Sequence, residues 1–188
     1  MSYLDKIVGQ IADEIDRLGL SDNTIIIFTG DNGTDRRLTS RYRDRMVPGG
    51  KATMTDTGVR VPFIVRQTGR VKARSRSSSL VDFSDILPTF CEIAGAPVPS
   101  NAHGRSFYKL LDNPSLRHRE WIYYEYLKRK AVRTNRATLV TGGKARLNAD
   151  LGVKTKPASA DDQRLLEGIM KQCTAASLRL RHRAHSGR

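Results

Sequence analysis

The stretch that most constrains this chain is Thr24-Ile25-Ile26-Ile27-Phe28-Thr29. It is apolar and β-branched, with no alternation of apolar and polar residues. A strand that reads this way is covered on both faces, as in a parallel sheet. Before it, Leu4, Ile7, Val8, Ile11, Ile15 and Leu18 fall on one face of a helix, and Gly19 is placed to end that helix. Ser21-Asp22-Asn23 reads as the turn between them. Helix, tight turn and buried strand together predict an α/β unit.

Beyond the strand the pattern changes. Residues 30–58 hold Gly, Asp, Asn and Arg with little periodicity, and an irregular stretch of that length is usually functional or mobile. Val59 to Val65 returns to strand character, with Pro62 arguing for an edge or a strand start. Val71 to Ser79 reads as a basic, Ser-rich loop. Ser84 or Asp85 is placed to cap a helix running to Ala94, with Pro88 in its first turn and Gly95 just beyond. Pro97 and Pro99 mark a linker. Trp121 to Tyr126 reads as a strand. Ala131-Val132-Arg133 and Ala137 to Val140, around Thr134-Asn135, read as a hairpin. Ser159-Ala-Asp-Asp162 resembles a capping box ahead of Leu165, Leu166, Ile169 and Met170. The expected organisation is an α/β part over residues 1–112, a small antiparallel sheet with one helix over 113–175, and a basic disordered tail over 176–188.

Charge needs explaining. The 188-residue chain carries a formal net charge of +14, with 38% hydrophobic residues. Its apolar blocks are those of a folded body, not of a disordered chain. From Arg36 to Arg76 there are twelve Lys or Arg and two acids, Asp44 and Asp56. Three readings stand: a nucleic-acid footprint, a site for anionic substrates such as sulfated sugars, or a solvated basic surface. Aromatics do not interleave with the basic run as a single-strand binder requires, and no zinc-finger or RNP-like pattern is present. Cys91 and Cys173 lie far apart with no CxxC neighbour, which excludes a disulfide framework and a cysteine zinc site. No apolar run is long enough to span a bilayer. Met1 leads straight into the amphipathic helix, so no signal peptide and a soluble chain are expected.

Three spots have chemistry in them. Gly30-Asp31-Asn32-Gly33 follows the buried strand directly, where ligands bind in open α/β sheets. Asp31 and Asn32 offer a carboxylate and an amide oxygen, the hard donors that Ca²⁺ or Mg²⁺ prefers; the same letters also make a good turn. Gly49-Gly50-Lys51 lets backbone approach an anion, with Lys51 as a point charge. It lacks the spacing of a P-loop. In Asp56-Thr57-Gly58-Val59-Arg60-Val61-Pro62, Arg60 serves either an anion or a structural salt bridge. His118, between Arg117 and Arg119, reads as an exposed turn. Trp121 and its neighbouring tyrosines read as the packing of a small sheet rather than a sugar platform.

The order of these spots resembles the sulfatase family. The resemblance runs through Tyr3-x-Asp5 with Val8-Gly9, the buried strand ending in Asp31-Asn32-Gly33, Gly49-Gly50-Lys51, and Gly58-x-Arg60-Val61-Pro62. It continues in Ser84-Asp85-Ile86-Leu87-Pro88-Thr89, Gly104-x-Ser106, Glu125-Tyr126 and Ala131-Val132-Arg133, covering roughly residues 3–141. It implies an alkaline-phosphatase-like α/β fold with an antiparallel C-terminal subdomain, and a sulfuric ester hydrolase. In such enzymes a cysteine or serine becomes formylglycine, whose hydrate attacks sulfur, and a divalent cation, usually Ca²⁺, polarises the sulfate oxygens. By position, Asp31 and Asn32 would be metal ligands, and Lys51 would contact the sulfate ester and stabilise transition-state charge.

Departures accompany the match. The nucleophile pattern C/S-x-P-S/A-R is nowhere in the chain, and the family's upstream paired aspartates are missing too. Asp56-Thr57 stand where the family usually has Glu-Gly, Gly30 where it has Ser, and His103 where it often has Asp. The expectations are therefore an incomplete Ca²⁺ site, no formylglycine, and no hydrolysis by the isolated chain. A sulfated small molecule or polysaccharide is the partner in the full-length family, whose members are often secreted, periplasmic or lysosomal. The alternatives are a non-catalytic anion-binding remnant and a basic nucleic-acid binder.

Overall fold

The computed structural model describes residues 2–148 and 156–185. In chain order the elements are α1 (Ser2–Arg17), β1 (Ile26–Thr29), β2 (Thr39–Tyr42), β3 (Arg45–Pro48) and α2 (Asp56–Val59). Then come β4 (Phe63–Arg66), α3 (Ile86–Ala94), α4 (Tyr108–Asp112), β5 (Trp121–Tyr126), β6 (Arg129–Thr134), β7 (Ala137–Val140), β8 (Arg146–Leu147) and α5 (Ala160–His185). They form two units, one from residues 1–31 and 62–118, the other from 32–61 and 119–188. The division is discontinuous, whereas the sequence reading draws contiguous boundaries.

In the first unit the apolar strand β1 forms as expected, but its neighbour differs. It pairs antiparallel with β4, from Ile26 opposite Arg66 to Thr29 opposite Phe63. All four of its residues are only half-buried, so the covering of both faces expected from the unalternating run is not seen here, and such a run does not say which way the next strand runs. Pro62 stands immediately before β4, where a missing N–H costs no ladder bond. Phe107, Leu110 and Leu111 form the core here, packed by Ile27, Phe63, Val65 and Ile86. Phe63 meets Phe107 edge-on, with ring centroids 5.4 Å apart, a favoured aromatic geometry. None of the α1 residues is buried, and Ile11 and Leu18 are each 53% exposed. Arg66 instead fastens α1 to β4 through Asp16, at 2.6 and 2.7 Å.

The helix expected from Ser84 or Asp85 is α3, and Gly95 closes it in the left-handed region at φ 63°. Its entry is built differently. Asp82 caps a short 3-10 turn over Phe83–Asp85, in a capping box with Asp85. Asp85 closes that box and has a second task besides. It is fully buried and accepts from the backbone N–H of Asp82 at 2.9 Å and of Arg105 at 2.8 Å. His118 Nε2 lies 3.1 Å from Asp85 Oδ2, with its side chain only 7% exposed. The exposed turn expected at His118 is thus corrected: the carboxylate draws the imidazole inward, because a buried charge requires partners. Thr89 adds a parallel tie, donating to the Asp85 carbonyl at 2.7 Å and accepting from Phe107 N–H at 3.0 Å.

The second unit contains the small sheet, in the order β5-β6-β7-β8 and antiparallel throughout. Val132, Ala137, Leu139 and Ala145 bury one face against Leu166 of α5, with Trp121 and Tyr123 packed at the margin. Those aromatics serve the core, as expected. Ser159 and Asp162 cap α5 reciprocally, through Asp162 N–H to Ser159 Oγ at 3.1 Å and Ser159 N–H to Asp162 Oδ2 at 3.3 Å. The helix continues to His185, into the stretch read as a tail. Among the described residues, no helix is long and apolar enough to cross a membrane.

Several carboxylates are held below the usual range by their partners: Glu14 by Arg17, Asp16 by Ser21 and then Arg66, Asp35 by Arg37, and Asp162 by Ser159. A depressed folded-state pKa contributes stability that is present above the unfolded value and lost as pH falls through the folded one. The melting temperature should therefore stay flat from pH 7 to about 5 and drop below about pH 4. Calorimetry across that range checks it; a flat profile down to pH 3 would show that these bonds contribute nothing.

Candidate functional site

Strand β1 delivers the chain to Asp31, which is exposed, and Asn32, which is half-buried. Asp31 closes the opening segment of the first unit, and Asn32 opens the second. Asn32 and Lys51 therefore belong to one unit, and its backbone fixes how they are held.

Glycine 33 donates its N–H to Gly58 O at 2.9 Å. A Cβ on Gly33 would stand 1.8 Å from Thr57 O, so no side chain fits. Gly50 meets the same turn: a Cβ there would lie 2.2 Å from Thr57 Oγ1 and 2.5 Å from its carbonyl carbon. Both glycines thus press against Thr57 and Gly58 of α2. Asn32 and Lys51, each one residue from such a glycine, flank a single helical turn. Lys51 N–H donates to Thr34 O at 2.9 Å while its side chain is exposed. Ala52 follows with φ 64°, a conformation that costs a non-glycine residue about 1 kcal/mol.

A ladder of hydroxyls stiffens the loop. Thr53 Oγ1 donates to Gly50 O at 2.7 Å and lies 2.6 Å from Thr55 Oγ1, which is 3.1 Å from Thr57 Oγ1. Arg133 of β6 grips Asp56 with both terminal guanidinium nitrogens, Nη1 to Oδ1 and Nη2 to Oδ2, the latter at 3.2 Å. Their side chains are 12% and 21% exposed. Tyr124 of β5 reaches Met54 O at 3.4 Å, and its hydroxyl is pushed up to about 12, chiefly by burial.

Of the residues singled out from sequence, Arg60 is exposed at the end of α2, and the ion pair at this corner is Asp56 with Arg133. That pairing is absent from the sequence reading because its members stand 77 positions apart. Arg133 is one of three cations in β6, with Arg129 and Lys130, so its charge alone does not mark it out. Among the described residues, no three His, Cys, Asp or Glu side chains come together as metal ligands. Asp31 and Asn32 have the right donor chemistry for a hard cation, but two oxygens are short of the six to eight that Ca²⁺ takes.

The sulfatase profile, described simply as Sulfatase, matches residues 1–96. The chain belongs to the sulfatase family. A second profile, N-sulphoglucosamine sulphohydrolase, C-terminal, matches residues 50–143. Among relatives, an ulvan-active sulfatase of Formosa agariphila is 34% identical over 120 residues, 64% of this sulfatase chain and 20% of the relative. Human steryl-sulfatase is 32% identical over 131 residues, 65% of this chain and 22% of its own. The structure of Ps i-CgsB in complex with k-i-k-neocarrahexaose superposes with TM-score 0.74 at 26% identity, covering 92% of this chain and 40% of the other. The chain thus spans about a fifth of the length of these curated relatives. Its fold is the alkaline-phosphatase-like α/β fold of these neighbours, with the antiparallel C-terminal sheet expected from sequence.

Proposed function

We propose that this chain supplies part of the site of a sulfuric ester hydrolase acting on sulfated carbohydrate. Asp31 and Asn32 are two ligands of a divalent cation, Ca²⁺ by preference, and Lys51 is the sulfate contact. The observation that carries this reading is the seating of Gly33 and Gly50 on the one turn Thr57–Gly58. It gives Asn32 and Lys51 a shared, rigid support, which a site requires and a mere turn does not. The ulvan-active relative and the neocarrahexaose complex support a carbohydrate substrate.

The roles divide as follows. When bound, the cation polarises sulfate oxygens. Lys51, an exposed ammonium on a backbone held by its bond to Thr34, binds a sulfate oxygen and offsets the charge that develops as the ester bond breaks. The sequence contains no C/S-x-P-S/A-R nucleophile, so this chain binds but does not turn over.

Calorimetric titration with a sulfated monosaccharide, with and without Ca²⁺, tests this. Lys51→Ala should weaken binding about tenfold, the loss of one charge-assisted contact. Equal affinity for both proteins removes Lys51 from the role. Pure chain should release no sulfate from an aryl sulfate above the buffer rate, and metal-dependent release would overturn the non-catalytic part of the reading.

A further inference from the structure

The β2–β3 hairpin has little to do with the core. Its strands pair from Thr39 opposite Pro48 to Tyr42 opposite Arg45. All four residues of β2 are exposed, and of β3 only Val47 is buried. On the side facing away from Val47 stand Thr39, Arg41, Met46 and Pro48, every one exposed. A two-stranded hairpin contributes little stability of its own, so packing does not explain these side chains.

Charge marks it further. Between residues 36 and 45 are five arginines, Arg36, Arg37, Arg41, Arg43 and Arg45, and one acid, Asp44. Asp35 neutralises Arg37 through bonds of 3.1 and 3.0 Å. Tyr42, 40% exposed, has the guanidinium carbons of Arg43 and Arg45 at 5.3 and 5.8 Å from its ring centre. Those contacts hold two cations beside an accessible aromatic ring. The hairpin's base is tied to the Lys51 loop. Gly49 N–H donates to Leu38 O at 2.8 Å, and Lys51 N–H to Thr34 O at 2.9 Å.

We infer that the β2–β3 hairpin is a second anion subsite, which binds further sulfate groups of a polysaccharide whose sulfate ester lies at Lys51. This rests on the reading of Lys51 given above. Guanidinium forks match sulfate oxygens, and five arginines within ten residues, on a hairpin tied by backbone bonds to the Lys51 loop, match a chain with repeated anions. A nucleic acid is the poorer fit, because Tyr42 is the only aromatic residue between residues 29 and 62 and gives no stacking series.

The test compares a sulfated hexasaccharide of the heparin type with a sulfated monosaccharide, titrated into the full chain at two salt concentrations. The variants are Arg41→Gln with Arg43→Gln, and Arg41→Lys with Arg43→Lys. The glutamine pair should lose about tenfold in hexasaccharide affinity with a shallower salt dependence and leave monosaccharide binding unchanged, while the lysine pair recovers most of the loss. Lys51→Ala alters the monosaccharide titration, so failure of the Lys51 reading shows there and failure of the hairpin shows only in the hexasaccharide. Unchanged hexasaccharide affinity in the glutamine pair overturns the subsite. So does a single-stranded DNA of equal charge that binds as tightly through the same arginines.

Discussion

Asp85→Ala is expected to lower the unfolding free energy by about 4 kcal/mol. The carboxylate is fully buried and satisfies the N–H groups of Asp82 and Arg105 and the ring of His118. Alanine leaves two backbone donors without their acceptor and a His ring without its partner, at roughly 1–3 kcal/mol for each unsatisfied group. Asn at the same position keeps an acceptor oxygen and should cost about half as much. Urea denaturation measures both. A loss under 1 kcal/mol for the alanine variant would mean that the loop carrying Arg105 finds other partners. Because Phe107 belongs to the same tie and to the core, the midpoint should fall without a change in slope.

The second large effect concerns Asp56 and Arg133. Removing Asp56 leaves a guanidinium 12% exposed that cannot shed its proton; removing Arg133 leaves a carboxylate that can take one up. Asp56→Ala should therefore cost about 3 kcal/mol and Arg133→Ala about 2 kcal/mol. The double variant Asp56→Ala with Arg133→Met should cost clearly less than the sum, since neither charge is then left alone. Amide hydrogen exchange gives an independent view: Gly33 and Gly58 should lose protection in the single variants, because their bonds rest on the turn that Asp56 begins. Full protection in Asp56→Ala would show that the glycine contacts suffice without the ion pair.

Much of the fold was legible where local pattern and local structure agree. Helix α1, strand β5, the β6–β7 hairpin and the Ser159–Asp162 cap each announce themselves within a few residues. The β2–β3 hairpin was not legible, because a strand that buries only Val47 has no apolar alternation to display. Val59 reads as the start of a strand and is the last residue of α2; the turn is set by Gly33 and Gly50 pressing on Thr57, which no window around residue 59 contains. Asp85 was recognised as a cap candidate but not as the acceptor that draws in His118, since those residues lie 33 positions apart. For the candidate site, order along the chain singles out Asp31, Asn32 and Lys51 as the expected contributors. What holds Lys51 in place depends on β6, and spacing does not reveal a long-range charge pair.

That pairing has a consequence for how the protein is made. The Lys51 loop takes its bracing from a residue synthesised 77 positions later, after the ribosome has completed nearly all of β6. At typical elongation speeds of about 5–20 residues per second, the loop spends several seconds outside the exit tunnel with its acid unpaired. The Asp56–Arg133 tie beside the Lys51 loop thus forms only after β6 is made. A pause in translation before Arg133 would prolong its exposure to proteases, while the first unit's β1–β4 pair would already have closed.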